Sequence, residues 1–278
     1  MGGIIWLASY PKSGNTWMRA FLHNLVRDPP APIAPNRLTE LTLGDGAAEF
    51  YQRIAGKPWD QVSEADVAAL RAQVHRGFSQ SSPNTVFVKT HNWLGDDHGL
   101  PCISMEYTAG AIYIVRNPLD TVISLADHFG ISLDEAIARM ADHNARTAIA
   151  AHRVPDVLGS WSDHVLSWTR VESAQMLVVR YEDLLHKPEQ SFGRVVKFLG
   201  LSFPRARIDK AIRFSSFATL QKLEAEQGFV ERSSFSKRFF RKGAAGQWRS
   251  LLSEAQVAQI VAAHGAQMAR FGYGPAKP

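Results

Sequence analysis

Lys12-Ser13-Gly14-Asn15-Thr16 is a run of small, hydrogen-bonding residues around one lysine. It lies between the apolar run Ile4-Ile5-Trp6-Leu7 and an amphipathic stretch that opens at Thr16. A β-rich run, a breaker at Pro11, a small-residue loop and a helix start place backbone N–H groups and the positive end of a helix around an anion. Ser13, Asn15 and Thr16 add side-chain donors and Lys12 adds charge, so the segment reads as a phosphate cradle. It is not the Walker pattern G-x-x-x-x-G-K-[ST], because the first glycine is missing and the lysine precedes Gly14. Taken alone, a plain β-to-α turn is the alternative.

Other chemistry-bearing residues follow apolar runs in the same way. Lys89-Thr90-His91 follows the strand expected at 85–88, Arg116 follows 111–115, and Arg180-Tyr181 follows 176–179. The intervening stretches have helical period: 16–27, 63–78 with Ser63 and Asp66 as a capping box, 133–151, 161–173 and 217–226. Asn117-Pro118 starts a helix that runs to about His128, another opens at Pro188, and a last one opens at Ser253 with Gln256 completing a second capping box. The proline-rich 28–36 must be extended. Residues 37–58 are poorly patterned and read as an insertion over a sheet edge, a loop is expected around Asp96, and the basic, turn-rich 228–246 reads as a mobile loop. Strands alternating with helices predict one α/β domain over 1–278, a central parallel β-sheet flanked by helices on both faces. Ligands of such sheets bind beyond the carboxyl ends of the strands, where all these groups fall.

Composition narrows the chemistry. With 278 residues, 45% hydrophobic and 21% charged, the chain can bury a substantial core. The net charge of +5 is spread along the chain, which suits small anionic ligands; no nucleic-acid partner is expected. Cys102 is the one cysteine, so no internal disulfide forms and a reducing, cytoplasmic location is expected. No stretch approaches the roughly 20 apolar residues of a membrane span, and the N-terminus does not read as a signal peptide. There is no H-E-x-x-H, cysteine pair or acidic calcium loop, so no metal is expected.

Taken together, these segments resemble the sulfotransferases that use 3′-phosphoadenosine 5′-phosphosulfate (PAPS). YPKSGNTW (10–17) resembles their 5′-phosphosulfate loop, YIVRNPLDTVISL (113–125) their 3′-phosphate segment, and FRKGAAGQW (240–248) their late R-K-G-x-x-G segment. VKTH (88–91) and VVRYEDL (178–184) also stand where the family has them. Asn15 replaces a common threonine, Gln247 replaces an aspartate, and RSLLSEAQVA (249–258) matches the family's dimer pattern poorly, which leaves the oligomeric state open.

The resemblance implies a P-loop-NTPase-like fold and transfer of a sulfuryl group from PAPS to an acceptor hydroxyl, with adenosine 3′,5′-bisphosphate (PAP) as product. Lys12 would stabilise the leaving phosphate, and Ser13, Gly14, Asn15 and Thr16 would hold it. His91 is the candidate general base, and Lys89 adds charge near the sulfuryl group. Arg116 and Ser124 would bind the 3′-phosphate, with Ser124 also reaching Lys12. Arg241, Lys242 and Gly243 would close over that phosphate. Tyr181, Ser215 and Phe217 fall where the family contacts adenine; Trp17 would stack on the adenine or belong to the core. A hydroxylated small molecule, lipid or sugar is the expected acceptor, in a pocket shaped by Trp93, 129–140 and 229–239; amines are also open. The competing readings are a P-loop-type kinase and a non-catalytic nucleotide or nucleic-acid binder.

Overall fold

The computed structural model describes residues 2–274. Its strands are β1 (Ile4–Ser9), β2 (Thr42–Gly44), β3 (Val86–Thr90), the two-residue pair β4 (Asp96–Asp97) and β5 (Leu100–Pro101), β6 (Thr108–Val115) and β7 (Met176–Arg180). The helices are α1 (Asn15–Arg27), α2 (Ala48–Gln52), α3 (Glu64–Gln80), α4 (Pro118–Phe129), α5 (Leu133–Ala141), α6 (Trp161–Thr169), α7 (Tyr181–His186), α8 (Pro188–Phe198), α9 (Arg205–Phe214), α10 (Phe217–Gln227), α11 (Trp248–Leu251) and α12 (Glu254–Arg270). The five main strands pair in the order β2-β3-β1-β6-β7, all parallel, while β4 and β5 form a small antiparallel hairpin. This is the expected α/β fold with a P-loop-like start.

The period of two along each strand sorts the core into layers. Ile4, Trp6, Ala8, Val86, Val88, Ala111, Tyr113 and Val115 face one side, with α3, α4, α5, α6 and α12. Ile5, Leu7, Ile112, Ile114 and Val179 face the other, against Met18, Phe21 and Leu25 of α1 and Phe192, Val195 and Val196 of α8. Burial on both faces explains why these strands read as unbroken apolar runs. All five carboxyl ends lie at one rim of the sheet, and the groups that follow them are therefore neighbours.

Helix starts differ in how their first turn is closed. Helices α3, α5, α6 and α12 each open on a serine whose Oγ accepts the N3 backbone N–H in a complete capping box. Helix α1 opens on Gly14 with no side-chain cap and no acidic residue in its first turn.

Several expectations are corrected. Helix α5 ends at Ala141, not at 151, because the Asp142 Oδ1 accepts the Asn144 N–H at 2.8 Å and turns the backbone out of the helix. The residues that follow fold back on themselves through the bridges Arg146 to Val157 and Ala150 to Arg153. The sixth helix stops at Thr169. Within 37–58 lies the edge strand β2, too short at three residues to leave a pattern, and Pro35 opens a 3₁₀ turn, Pro35–Glu40, where extended chain is expected. No helix among the described residues is long and apolar enough to cross a membrane.

Candidate active site

After Ser9 the chain turns through Lys12 and Gly14, both with positive φ, 65° and 107°. A Cβ at Gly14 would stand 2.8 Å from Cδ2 of Tyr181, so the turn requires glycine. The Gly14 carbonyl accepts the N–H groups of Trp17 and Met18 at 3.1 and 3.2 Å and starts α1. The bare positive end of that helix then faces a cavity lined by Gly14, Asn15 and Thr16. The Asn15 side chain turns the other way: Nδ2 donates to the Leu7 carbonyl at 2.7 Å and ties the helix to β1. Its backbone, not its amide, is what an anion would meet.

The cavity, about 540 Å³, is also lined by Lys12, Trp17, Lys89, His91, Arg116, Ser124, Tyr181, Phe217, Arg241, Lys242 and Gly243. Arg116 organises one end of it. One nitrogen, Nη1, donates to the Lys12 carbonyl at 2.8 Å and lies 3.3 Å from the Ser124 Oγ, and the guanidinium packs 4.4 Å from the centre of the Tyr181 ring. Ser124, two turns into α4, shares that face as expected, and its tie to the lysine loop runs through Arg116. Gly243 sits flat on Phe217, where a Cβ would approach the ring to 2.3 Å. Trp17 meets Tyr181 and Phe192 edge-on, with centroids 5.7 and 5.8 Å away.

Ser13 and Ser215 do not line the cavity. The Ser215 hydroxyl is fully buried and donates back to the Ala211 carbonyl at 2.8 Å. Ser13 Oγ is buried without a partner, as are Arg116 Nε and Trp17 Nε1. Of these, Arg116 and Trp17 line the cavity, and buried donors left open there fit an anionic, aromatic ligand such as PAPS.

Electrostatics support that fit. Burial, then the Arg116 and Lys89 charges, push the Lys12 ammonium down to about 8; its Nζ lies 4.0 Å over the Phe239 ring. Burial also lowers Lys89, and Glu231, whose carboxylate is 3.4 Å away, opposes that shift. For His91, burial and the Lys89 charge hold the imidazole well below its ordinary range, so it is neutral near pH 7. His91 Nδ1 lies 2.7 Å from the Ser9 carbonyl. A carbonyl only accepts, so Nδ1 carries the hydrogen and Nε2 keeps the lone pair.

Sequence reasoning missed the residues that hold these groups in place. The buried Asp45, just beyond β2, donates its N–H to the Lys89 carbonyl at 2.9 Å. Its Oδ2 accepts from Thr90 Oγ1 at 2.9 Å and Asn92 Nδ2 at 2.7 Å, the residues either side of His91, and Oδ1 lies 2.9 Å from His75 Nε2. The His91 carbonyl takes a hydrogen bond from His164 at 3.0 Å. Asp120 accepts the Gly246 and Trp248 N–H groups at 2.7 and 3.1 Å and fastens the R-K-G-x-x-G segment to α4. The irregular 228–246 is further secured by Glu231 to Arg19 at 2.7 Å, by Ser236 to Asp127 at 2.8 Å, and by the Glu224 carboxylate on the Phe239 and Phe240 N–H groups. The α5–α6 connection adds Thr147, Ala148, Ala150, Arg153 and Asp156 to the cavity wall. An isolated aspartate in a poorly patterned stretch gives no local signal, which is why Asp45 escaped notice. No cluster of metal-ligating residues occurs among the described residues.

The family profile described as "Sulfotransferase domain" matches residues 4–272. The chain belongs to the sulfotransferase family. It is similar to cytosolic sulfotransferase 13 of Arabidopsis thaliana, 26% identical over 258 residues, covering 89% of this chain and 71% of the relative. Sulfotransferase 1B1 of Canis lupus familiaris is 27% identical, covering 90% and 78%. Among solved structures, mouse sulfotransferase SULT7A1 complexed with PAP shares the fold with a TM-score of 0.62 at 22% identity, covering 96% of this chain and 84% of that one. Retinol dehydratase in complex with androsterone and inactive cofactor PAP gives 0.65 at 18%, covering 95% and 80%.

Proposed function

We propose that the protein transfers the sulfuryl group of PAPS to an acceptor hydroxyl by in-line attack, with His91 as general base and Lys12 stabilising the leaving phosphate. PAPS supplies the sulfuryl group and the phosphate that departs. His91 carries the reading: a neutral imidazole whose Nδ1–H is committed to the Ser9 carbonyl has one basic nitrogen, and it lines the same cavity as Lys12 and Lys89. As the new O–S bond forms, the acceptor proton moves to Nε2. As the old S–O bond breaks, the charge that grows on the 5′-phosphate is met by Lys12 and the α1 N-terminus.

Arg116, Ser124, Arg241, Lys242 and Gly243 hold the 3′-phosphate in this reading, and Trp17, Tyr181 and Phe217 bound the adenine. Ser215 contributes by fixing the end of α9. The acceptor is a hydroxylated small molecule, lipid or sugar; the small-molecule option is supported by a similar structure whose bound molecule is retinol. A cytoplasmic location fits the single buried cysteine.

The test is transfer of sulfur label from PAPS across a panel of phenols, alcohols and sugars, by the wild type and His91→Ala. Expected is transfer by the wild type and a loss of about a hundredfold or more in kcat for the variant, with PAP still bound within about twofold by calorimetry in EDTA. No labelled product from any acceptor would sink the reading. A kinase would instead bind Mg-ATP more tightly than PAP. A nucleic-acid binder would be indifferent to His91→Ala and lose affinity steeply with salt.

A further inference from the structure

A second cavity of about 510 Å³ lies against the first and is almost its equal in size. The two share three lining residues, Phe129, Thr147 and Ala148. The partition is therefore made of side chains at the end of α4 and on the irregular α5–α6 connection, not of sheet. Phe129 is half-buried, with the Arg139 guanidinium 5.1 Å from its ring centre and His128 packed on it edge-on. Beyond the partition the walls are apolar on the core side, with Tyr10, Leu125, Ile131 and Leu158, and polar on the solvent side, with Arg139 and Asn144. In the first cavity His91 shares the wall with Phe129, Thr147 and Ala148 of the partition, beside the groups assigned to the phosphates. A molecule with its hydroxyl at His91 and a body too long for the first cavity can extend across these shared residues into the second.

We propose that the second cavity is the far half of the acceptor site, and that it selects an elongated, amphipathic phenol or alcohol. Its apolar body runs past Phe129 along Leu125 and Ile131, and its distal end meets the polar rim at Arg139 and Asn144. The proposal rests on the sulfuryl-transfer reading for the position of the hydroxyl, and it is tested by binding so that the two fail separately.

The experiment titrates a series of 4-alkylphenols, from ethyl to heptyl, into the protein saturated with PAP, and reads Kd by calorimetry. Each added methylene entering an apolar wall tightens binding by about fourfold, and the gain continues to the longest chain. Ile131→Trp fills the cavity from its apolar side. It raises Kd for the heptyl compound by about tenfold or more while the ethyl compound changes far less. Asn144→Trp, at an exposed position, obstructs the same space without touching the core and gives the same chain-length-dependent loss. Affinity that stops rising after the first few methylenes in the wild type overturns the proposal. So does a heptylphenol Kd that stays within about twofold in both tryptophan variants. Failure of the catalytic reading shows elsewhere, as absence of sulfate transfer to any of these phenols.

Discussion

At the proposed phosphate end of the cavity, the polar side chains other than Arg241 and Lys242 of the 228–246 segment hang from residues that follow a strand or lie in the first turns of a helix. The acceptor end is walled largely by two irregular segments, 142–160 and 228–246. The first end is specified locally: Lys12 and Gly14 by a β-to-α turn, Arg116 by the end of β6, Ser124 by two turns of α4. The second is specified by distant partners, such as Glu231 on Arg19, 212 residues apart, and Ser236 on Asp127, 109 apart. In the proposed reading, most of the nucleotide contacts are thus built onto the sheet, and acceptor choice into segments that a family can vary without disturbing it.

Lys12→Ala would make the sharpest cut. Removing a buried charge aimed at the leaving phosphate should lower kcat by about a thousandfold. PAP affinity, read by calorimetry, should fall much less, because Arg116 and the α1 N-terminus remain. Equal losses in both would mean that Lys12 only binds, and the phosphate end would lose its catalytic role.

Asp45→Asn tests whether the acceptor side depends on remote support. Its carboxylate faces Thr90, Asn92 and His75, so the amide leaves buried groups mispaired and should cost about 3 kcal/mol of stability, seen as a lower Tm. At a temperature where the variant is folded, kcat should fall about tenfold by the order of magnitude of a displaced catalytic base, with Kd for PAP little changed. A fall in PAP affinity matching the fall in kcat would erase the distinction between the two ends.

The pH dependence of PAP binding probes the phosphate end alone. In the folded protein Lys12 titrates at about 8, lowered chiefly by burial from an ordinary value of 10.5. The bound anion favours the charged lysine, so binding takes up protons near and above that pH. Affinity should weaken above pH 8, approaching about tenfold per unit. The sign for stability without ligand is the reverse: the buried charge opposes folding below pH 8, and that penalty fades as pH rises toward 10.5. Calorimetry in buffers of different ionisation enthalpy measures the proton uptake directly; none at pH 8.5 refutes it. The smallest effect is expected of Ser215→Ala, whose hydroxyl faces its own helix: Kd for PAP within about twofold, against a clear loss for Phe217→Ala.

The same division governs what could be read from the chain before folding. Four strands and the starts of α1, α3, α4 and α12 were legible because buried strands are apolar runs, and serine, asparagine or glycine at a helix start has a local cause. The cradle, Arg116 and His91 followed from strand ends. The α5–α6 connection was misread because alanine-rich 145–151 favours helix on propensity alone, while an Asx turn at Asp142 and the pairing of Arg146 with Val157 override it. Asp45, Asp120, Glu224 and Glu231 were invisible because a carboxylate's partners across the fold leave no mark on its neighbours in sequence. Asn15 was misjudged for a related reason: its amide is turned back onto β1.

The open start of α1 has one more consequence. In five other helices a serine closes the first turn; in α1 no side chain does, and in the proposed reading that place falls to the phosphate of the nucleotide. The ligand therefore belongs to the folding equilibrium as well as to the reaction, and a nucleotide concentration about a hundred times its Kd adds roughly 2.7 kcal/mol to stability. A cell short of activated sulfate would hold this protein in its least stable form, open to proteolysis, and its lifetime would follow the sulfate supply.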